Sequence, residues 1–153
     1  MSTVRESATT VTTITEPRTA WQRCWRDGIA PQLSMAGLHG LKRALESNDP
    51  RLLQSATTSP PPLQCVQDWP VEGCCALCFG LLDGQEPGSL TVAQLEEKFA
   101  AACWNADVAL GEPAACRYLL NYIDETPREQ MIAELLREVE RELAQRQNTR
   151  EEG

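Results

Sequence analysis

From residue 19 onward, apolar side chains recur at the three- and four-residue spacing of a helix, and Pro, Gly and capping residues cut that pattern into five or six segments. Trp21 and Trp25, one turn apart, predict a first helix over Thr19–Asp27, with Gly28 as its stop. Pro31 can open a second helix whose Leu38, Leu41 and Leu45 share one side, and Asp49 with Pro50 restarts a short helical turn. Asp68 or Trp69 caps a third, with Pro70 in its first turn and Val71, Cys75, Cys78 and Leu82 leading to Asp83-Gly84. Thr91 and Gln94 form a capping box for a fourth helix, whose stripe of Val92, Leu95, Phe99, Cys103, Ala106 and Leu110 runs until Gly111. Pro113 opens a fifth with Cys116, Leu119, Leu120 and Ile123 on one face. A second capping box over Thr126–Glu129 starts the last, which carries Ile132, Leu135, Leu136, Val139 and Leu143.

Two stretches break the helical pattern. Ser55–Leu63, reading SATTSPPPL, holds three consecutive prolines and predicts an extended connector laid over the core. Alternating β-branched residues occur only in TVTTIT, near the N-terminus, with no turn partner. The pattern therefore predicts an all-α fold, a small bundle of five or six helices. A disordered Thr-rich tail is expected over 1–18, a single helical domain over 19–147 and a frayed C-terminal tail over 148–153. Short connections make the last three helices neighbours in antiparallel hairpins. Leu95, Phe99, Leu119, Leu120, Ile123, Leu135, Leu136 and Val139 are the expected core.

Composition narrows the function classes without naming one. The 153 residues are 42% hydrophobic and 24% charged, the proportions of a globular chain, and no run of apolar residues is long enough to form a transmembrane segment. A formal charge of −8 opposes nonspecific adhesion to nucleic acid or anionic lipid, so nucleic acid is not an expected partner. Between Leu52 and Glu97 there is no Lys or Arg, which leaves a phosphate or carboxylate ligand no local cation in that segment. Seven cysteines, an odd number, with no apolar signal segment in Met1–Ala20 point to a reducing, cytoplasmic location.

The cysteines also carry the sharpest candidate chemistry. Cys74, Cys75 and Cys78 form a CCxxC with Cys65 nine residues upstream, and on a helix the thiols of Cys74 and Cys78 would stand one turn apart. Cys65, Cys74, Cys75 and Cys78 are thus candidate ligands for zinc or an iron-sulfur cluster. Against this stands plain packing: a free cysteine behaves as a small hydrophobe, and each of the others can be placed on an apolar stripe. A redox-active CxxC belongs at a helix start after a strand, and the pattern offers no strand there. His39 is the only histidine, and GLHG matches no phosphate-binding loop.

Trp21 and Trp25, interleaved with Arg23 and Arg26, make a cationic amphipathic turn suited to a protein partner, the alternative being that it docks on the protein's own core. Glu138 with Arg141, and Glu142 with Arg146, read as pairs that solvate the last helix, which also leaves a homo-oligomer open. With no convergent catalytic set, the sequence reads as a small helical binding or adaptor protein without a cofactor rather than an enzyme. The alternative is a metal-binding, iron-sulfur or thiol-redox protein built on the CCxxC segment.

Overall fold

The computed structural model describes residues 19–62 and 66–152; the expected tail over 1–18 and Cys65 lie outside them. The chain is mostly helical but carries a small three-stranded sheet, which corrects the expectation of a purely all-α bundle. Helix α1 (Ala20–Arg23) begins at Thr19, whose side chain accepts from the Gln22 amide while Gln22 reaches back to the Thr19 backbone. It does not stop at Gly28. The chain widens into a π-helical stretch, Cys24–Ile29, and tightens into a 3-10 turn, Ala30–Gln32. Gly28 serves packing instead: a Cβ there would lie 3.0 Å from the Ala106 Cβ of the helix crossing it.

Helix α2 (Met35–Ser47) is capped by Ser34, not opened by Pro31, and buries Leu38, Leu41 and Leu45 as their spacing predicts. It ends at Asn48 in the left-handed region. Asp49 then closes a turn by accepting from the Arg51 amide at 2.9 Å, and the chain enters a strand, β1 (Leu52–Leu53), where a helical turn was expected. The Pro-rich connector contributes β2 (Thr58–Ser59), with a cis peptide between Ser59 and Pro60.

The main departure is at the third helix. Residues 73–75 form a strand, β3 (Gly73–Cys75), and the helix α3 occupies only Ala76–Leu81. Strand β3 is central. It pairs in parallel with β1, Leu52 opposite Cys74, and antiparallel with β2, Thr58 opposite Cys74. The Cys74 amide donates to Arg51 at 2.9 Å and the Cys75 amide to Thr57 at 3.0 Å. Gly73, a poor residue for a helix interior, permits this contact, since a Cβ there would stand 2.9 Å from the Arg51 carbonyl oxygen.

The C-terminal helices form near where the pattern places them, but not as a run of antiparallel hairpins: the fifth packs mainly on α1 and the sixth on α2. Helix α4 (Val92–Leu110) has the Thr91–Gln94 capping box and ends at Gly111 in the left-handed region, α5 spans Arg117–Glu125, and α6 spans Arg128–Glu152. The last helix runs to Glu152. Leu95, Leu119, Ile123, Leu135 and Val139 are buried, while Phe99, Leu120 and Leu136 pack against the core from its edge.

Two contacts hold the helices in place. Helices α2 and α3 meet through glycines: a Cβ on Gly37 would overlap the Gly80 carbonyl oxygen, and one on Gly40 would lie 3.0 Å from the Gly84 Cα. Arg26, in the π-helical stretch, binds Glu138 of α6 through two bonds of 2.8 Å, with side-chain exposures of 10% and 6%. Glu138 thus turns inward, contrary to its expected solvating role, because Arg26 and the Gln22 amide, 3.2 Å away, satisfy its oxygens.

Gly37→Ala is expected to destabilise the fold by about 1–3 kcal/mol through this overlap, whereas Gly88→Ala, whose Cβ would meet only the Val71 carbonyl at 3.7 Å, should leave it nearly unchanged. Urea midpoints of the two variants make the comparison. Arg26→Met should cost roughly 3–5 kcal/mol by leaving the Glu138 charge buried without its counter-ion, and adding Glu138→Leu should recover most of that loss; a double variant as unstable as the single one would show that the pair is not the cause.

Candidate functional site

Strand β3 delivers Cys75 to the start of α3 with the backbone still extended, at φ −72° and ψ 171°. Cys78 follows one turn later, so the CxxC occupies a strand-to-helix junction rather than a helix face. Its neighbour Cys74 points to the other side of the strand, as alternate residues must. The three thiols therefore do not line up along a helix as their spacing first indicated. All are buried, at 0%, 4% and 0% exposure for Cys74, Cys75 and Cys78.

Their electrostatics differ. The Cys75 side chain does not cap α3 with a hydrogen bond, but its sulfur lies within electrostatic reach of the Cys78 thiol and of the Cys78 and Leu77 amides. They hold its pKa below the ordinary thiol value against the opposing effect of burial. Cys78 moves the opposite way, because its proton is held by the Cys75 sulfur and because it is buried. Burial, more than the neighbouring Cys75 charge, raises Cys74. Burial likewise leads the rise of Cys103 and Cys116, and takes Cys24 to about 11. Among the described cysteines, Cys75 is the one whose thiolate is favoured.

Cys75 also reaches open space. A cavity of about 130 Å³ between the 55–57 segment, α4 and α5 is lined by Thr57, Cys75, Phe99, Leu120, Ile123 and Asp124. At its rim the Ser55 amide donates to Asp124 Oδ1 at 2.9 Å. Outside that cavity, α4 carries a second unusual group: Glu96 Oε2 is buried without a hydrogen-bond partner. Burial raises the Glu96 carboxyl, and its charge acts on Cys78.

Of the proposed metal ligands, Cys65 lies outside the described residues, and among the described residues no three Cys, His, Asp or Glu side chains gather as a metal site would require. His39 is exposed on α2. The aromatic and cationic turn faces inward. Trp25 is 1% exposed, Trp21 stacks on Tyr122 of α5 with ring centroids 3.8 Å apart, and Arg26 holds Glu138. Arg23 is exposed and donates to the Leu110 carbonyl at 3.3 Å. These four side chains do not form one outward-facing surface.

The exposed aromatic surface lies elsewhere. Trp104 and Val108, one turn apart on α4, are 70% and 64% exposed. They share that side of the helix with Ala101, Asn105 and Ala109, none of them charged. The sequence held the signal, since both residues fall off the Val92–Leu110 stripe that packs inward. No helix among the described residues is long and apolar enough to cross a membrane. No protein family, curated protein or solved structure matches the chain.

The Glu96 site gives a pH prediction. Burial lifts the folded carboxyl above its unfolded value, so the folded chain holds that proton more tightly, and the group's contribution to stability falls as pH rises through the carboxylate range. Glu96→Gln, which stays neutral, should be more stable than wild type at ~pH 7 and gain little at ~pH 4. Urea unfolding at the two pH values measures the difference; an equal gain at both would remove the buried charge as its cause.

Proposed function

We propose that this protein is a thiol-redox protein in which Cys75 and Cys78 cycle between a dithiol and a disulfide. The observation that carries the reading is the placement of Cys75 at the end of a paired strand and the start of α3, with Cys78 one turn further on. The sequence pattern carries no signal for that strand, on which a redox-active CxxC depends. In the oxidising direction each thiol gives up one proton and one electron and the two sulfurs join, so an acceptor takes up two electrons and two protons. Attack begins from Cys75, because its thiolate is the nucleophile and the thiol of Cys78 is not.

Differential alkylation with mass mapping tests this across a series of dithiothreitol redox buffers. Cys75 and Cys78 should lose and regain label together at one midpoint while Cys74 does not follow. Replacing either by Ala should abolish the transition in a chain that retains its helical circular dichroism. The reading fails if the folded protein keeps both thiols at every potential, or if the pair that forms is a different one.

A second reading, a binding or adaptor protein, is favoured by the uncharged outer face of α4 around Trp104 and Val108. Large exposed aromatic groups on an apolar strip supply the anchors of protein interfaces. Trp104→Ala should then weaken association with whatever protein the wild-type chain binds, a second copy included, by about 2 kcal/mol, measured by calorimetry or sedimentation. An unchanged affinity would remove α4 as the docking element.

A further inference from the structure

The shape and charge around Cys75 say which oxidant the site can take. We infer that the oxidant is a small uncharged hydroperoxide entering through the cavity between the 55–57 segment, α4 and α5; this rests on the dithiol reading above. Three observations carry it. Cys75 is only 4% exposed, so a folded protein or a peptide disulfide cannot approach its sulfur along the line that disulfide exchange requires. The cavity that reaches it holds about 130 Å³, room for several waters or a molecule of a few heavy atoms, and well short of the ~300 Å³ at which ordinary ligand pockets begin. Asp124 lines that cavity and its negative charge acts on Cys75, so an anionic oxidant is repelled at the entrance.

Apart from Asp124, the helices line the cavity with apolar side chains. Phe99, Leu120 and Ile123 leave Thr57 and the 55–57 backbone as the polar side against which a peroxide could hydrogen-bond. The chemistry balances without a cofactor. The Cys75 thiolate attacks one peroxide oxygen; an S–O bond forms, the O–O bond breaks, and the leaving hydroxide or alkoxide takes up the proton that the thiol released. Cys75 is then a sulfenic acid, oxidised by two electrons. The Cys78 sulfur, facing it one turn away, attacks the Cys75 sulfur. The S–S bond forms, the S–O bond breaks, and the hydroxyl leaves with the Cys78 proton as water. Two thiols and one hydroperoxide become a disulfide, an alcohol or water, and a second water.

The test compares oxidants on the fully reduced, full-length chain. Hydrogen peroxide should convert Cys75 and Cys78 to a disulfide at least about tenfold faster than equimolar glutathione disulfide, a bulky anion, and faster than it oxidises Cys74 or Cys103. In Cys78→Ala, which adds no buried hydroxyl, dimedone should trap a sulfenic acid on Cys75. Leu120→Ala, which removes part of the cavity wall, should raise the rate with cumene hydroperoxide more than the rate with hydrogen peroxide. Should glutathione disulfide oxidise the pair as fast as peroxide, or should Leu120→Ala leave the preference between the two peroxides unchanged, the cavity does not select the oxidant and the inference is overturned while the dithiol reading stands. If neither oxidant joins Cys75 to Cys78 although the chain remains folded, the inference falls, and the redox-buffer titration decides separately whether the dithiol reading falls with it.

Discussion

Strand β3 is hydrogen-bonded along both edges, and the arrangement of the chain around the cysteines depends on it. Its three residues take β1 on one side and β2 on the other, so two segments that have almost no secondary structure of their own, 49–53 and 55–60, are tied to one strand. The pairing needs the backbone at Gly73 to come within van der Waals distance of Arg51, which only glycine allows. It also holds Cys74 and Cys75 extended, and helix α3 can begin only where the strand releases the chain. Glycines at the α2–α3 contact then seat that short helix against the core.

This geometry separates three adjacent thiols into different chemical environments. Burial outweighs the Arg51 charge at Cys74 and keeps its thiol protonated, and Cys78 keeps its proton because the Cys75 sulfur accepts it. Of the three, Cys75 is the one that lines a cavity, and the Cys78 thiol and the first amides of α3 favour its thiolate. No cation is required for this difference. The segment from Leu52 to Glu97 contains no Lys or Arg, and backbone amides take their place.

The outer helices close the structure around that centre. Glu138 reaches in from α6 to Arg26, fastening the first helical segment to the last, and the Trp21–Tyr122 stack joins α1 to α5. Helix α4 works on two sides. Phe99 lines the cavity beside Cys75, while Trp104 and Val108 face solvent on a strip without charge.

The sequence by itself determined the long amphipathic elements. The Thr91–Gln94 capping box, the stripe from Val92 to Leu110 and the stop at Gly111 are local signals, and α4 forms as they require; the burial of Leu38, Leu41, Leu119, Ile123 and Leu135 follows from spacing in the same way. The strands were not legible, because two or three residues carry no periodicity and their pairing joins positions about twenty residues apart. Nor was the fate of the ambiguous side chains. Trp25 and Trp104 are the same residue type on neighbouring segments, yet one is buried and the other exposed, because burial depends on which helix crosses at that point. Gly28 read as a helix stop and became a contact surface for the same reason. The CxxC had a spacing compatible with a helix face, a metal site or a redox junction, and only the tertiary pairing of β3, an interaction with no local sequence signature, decided among those backbones.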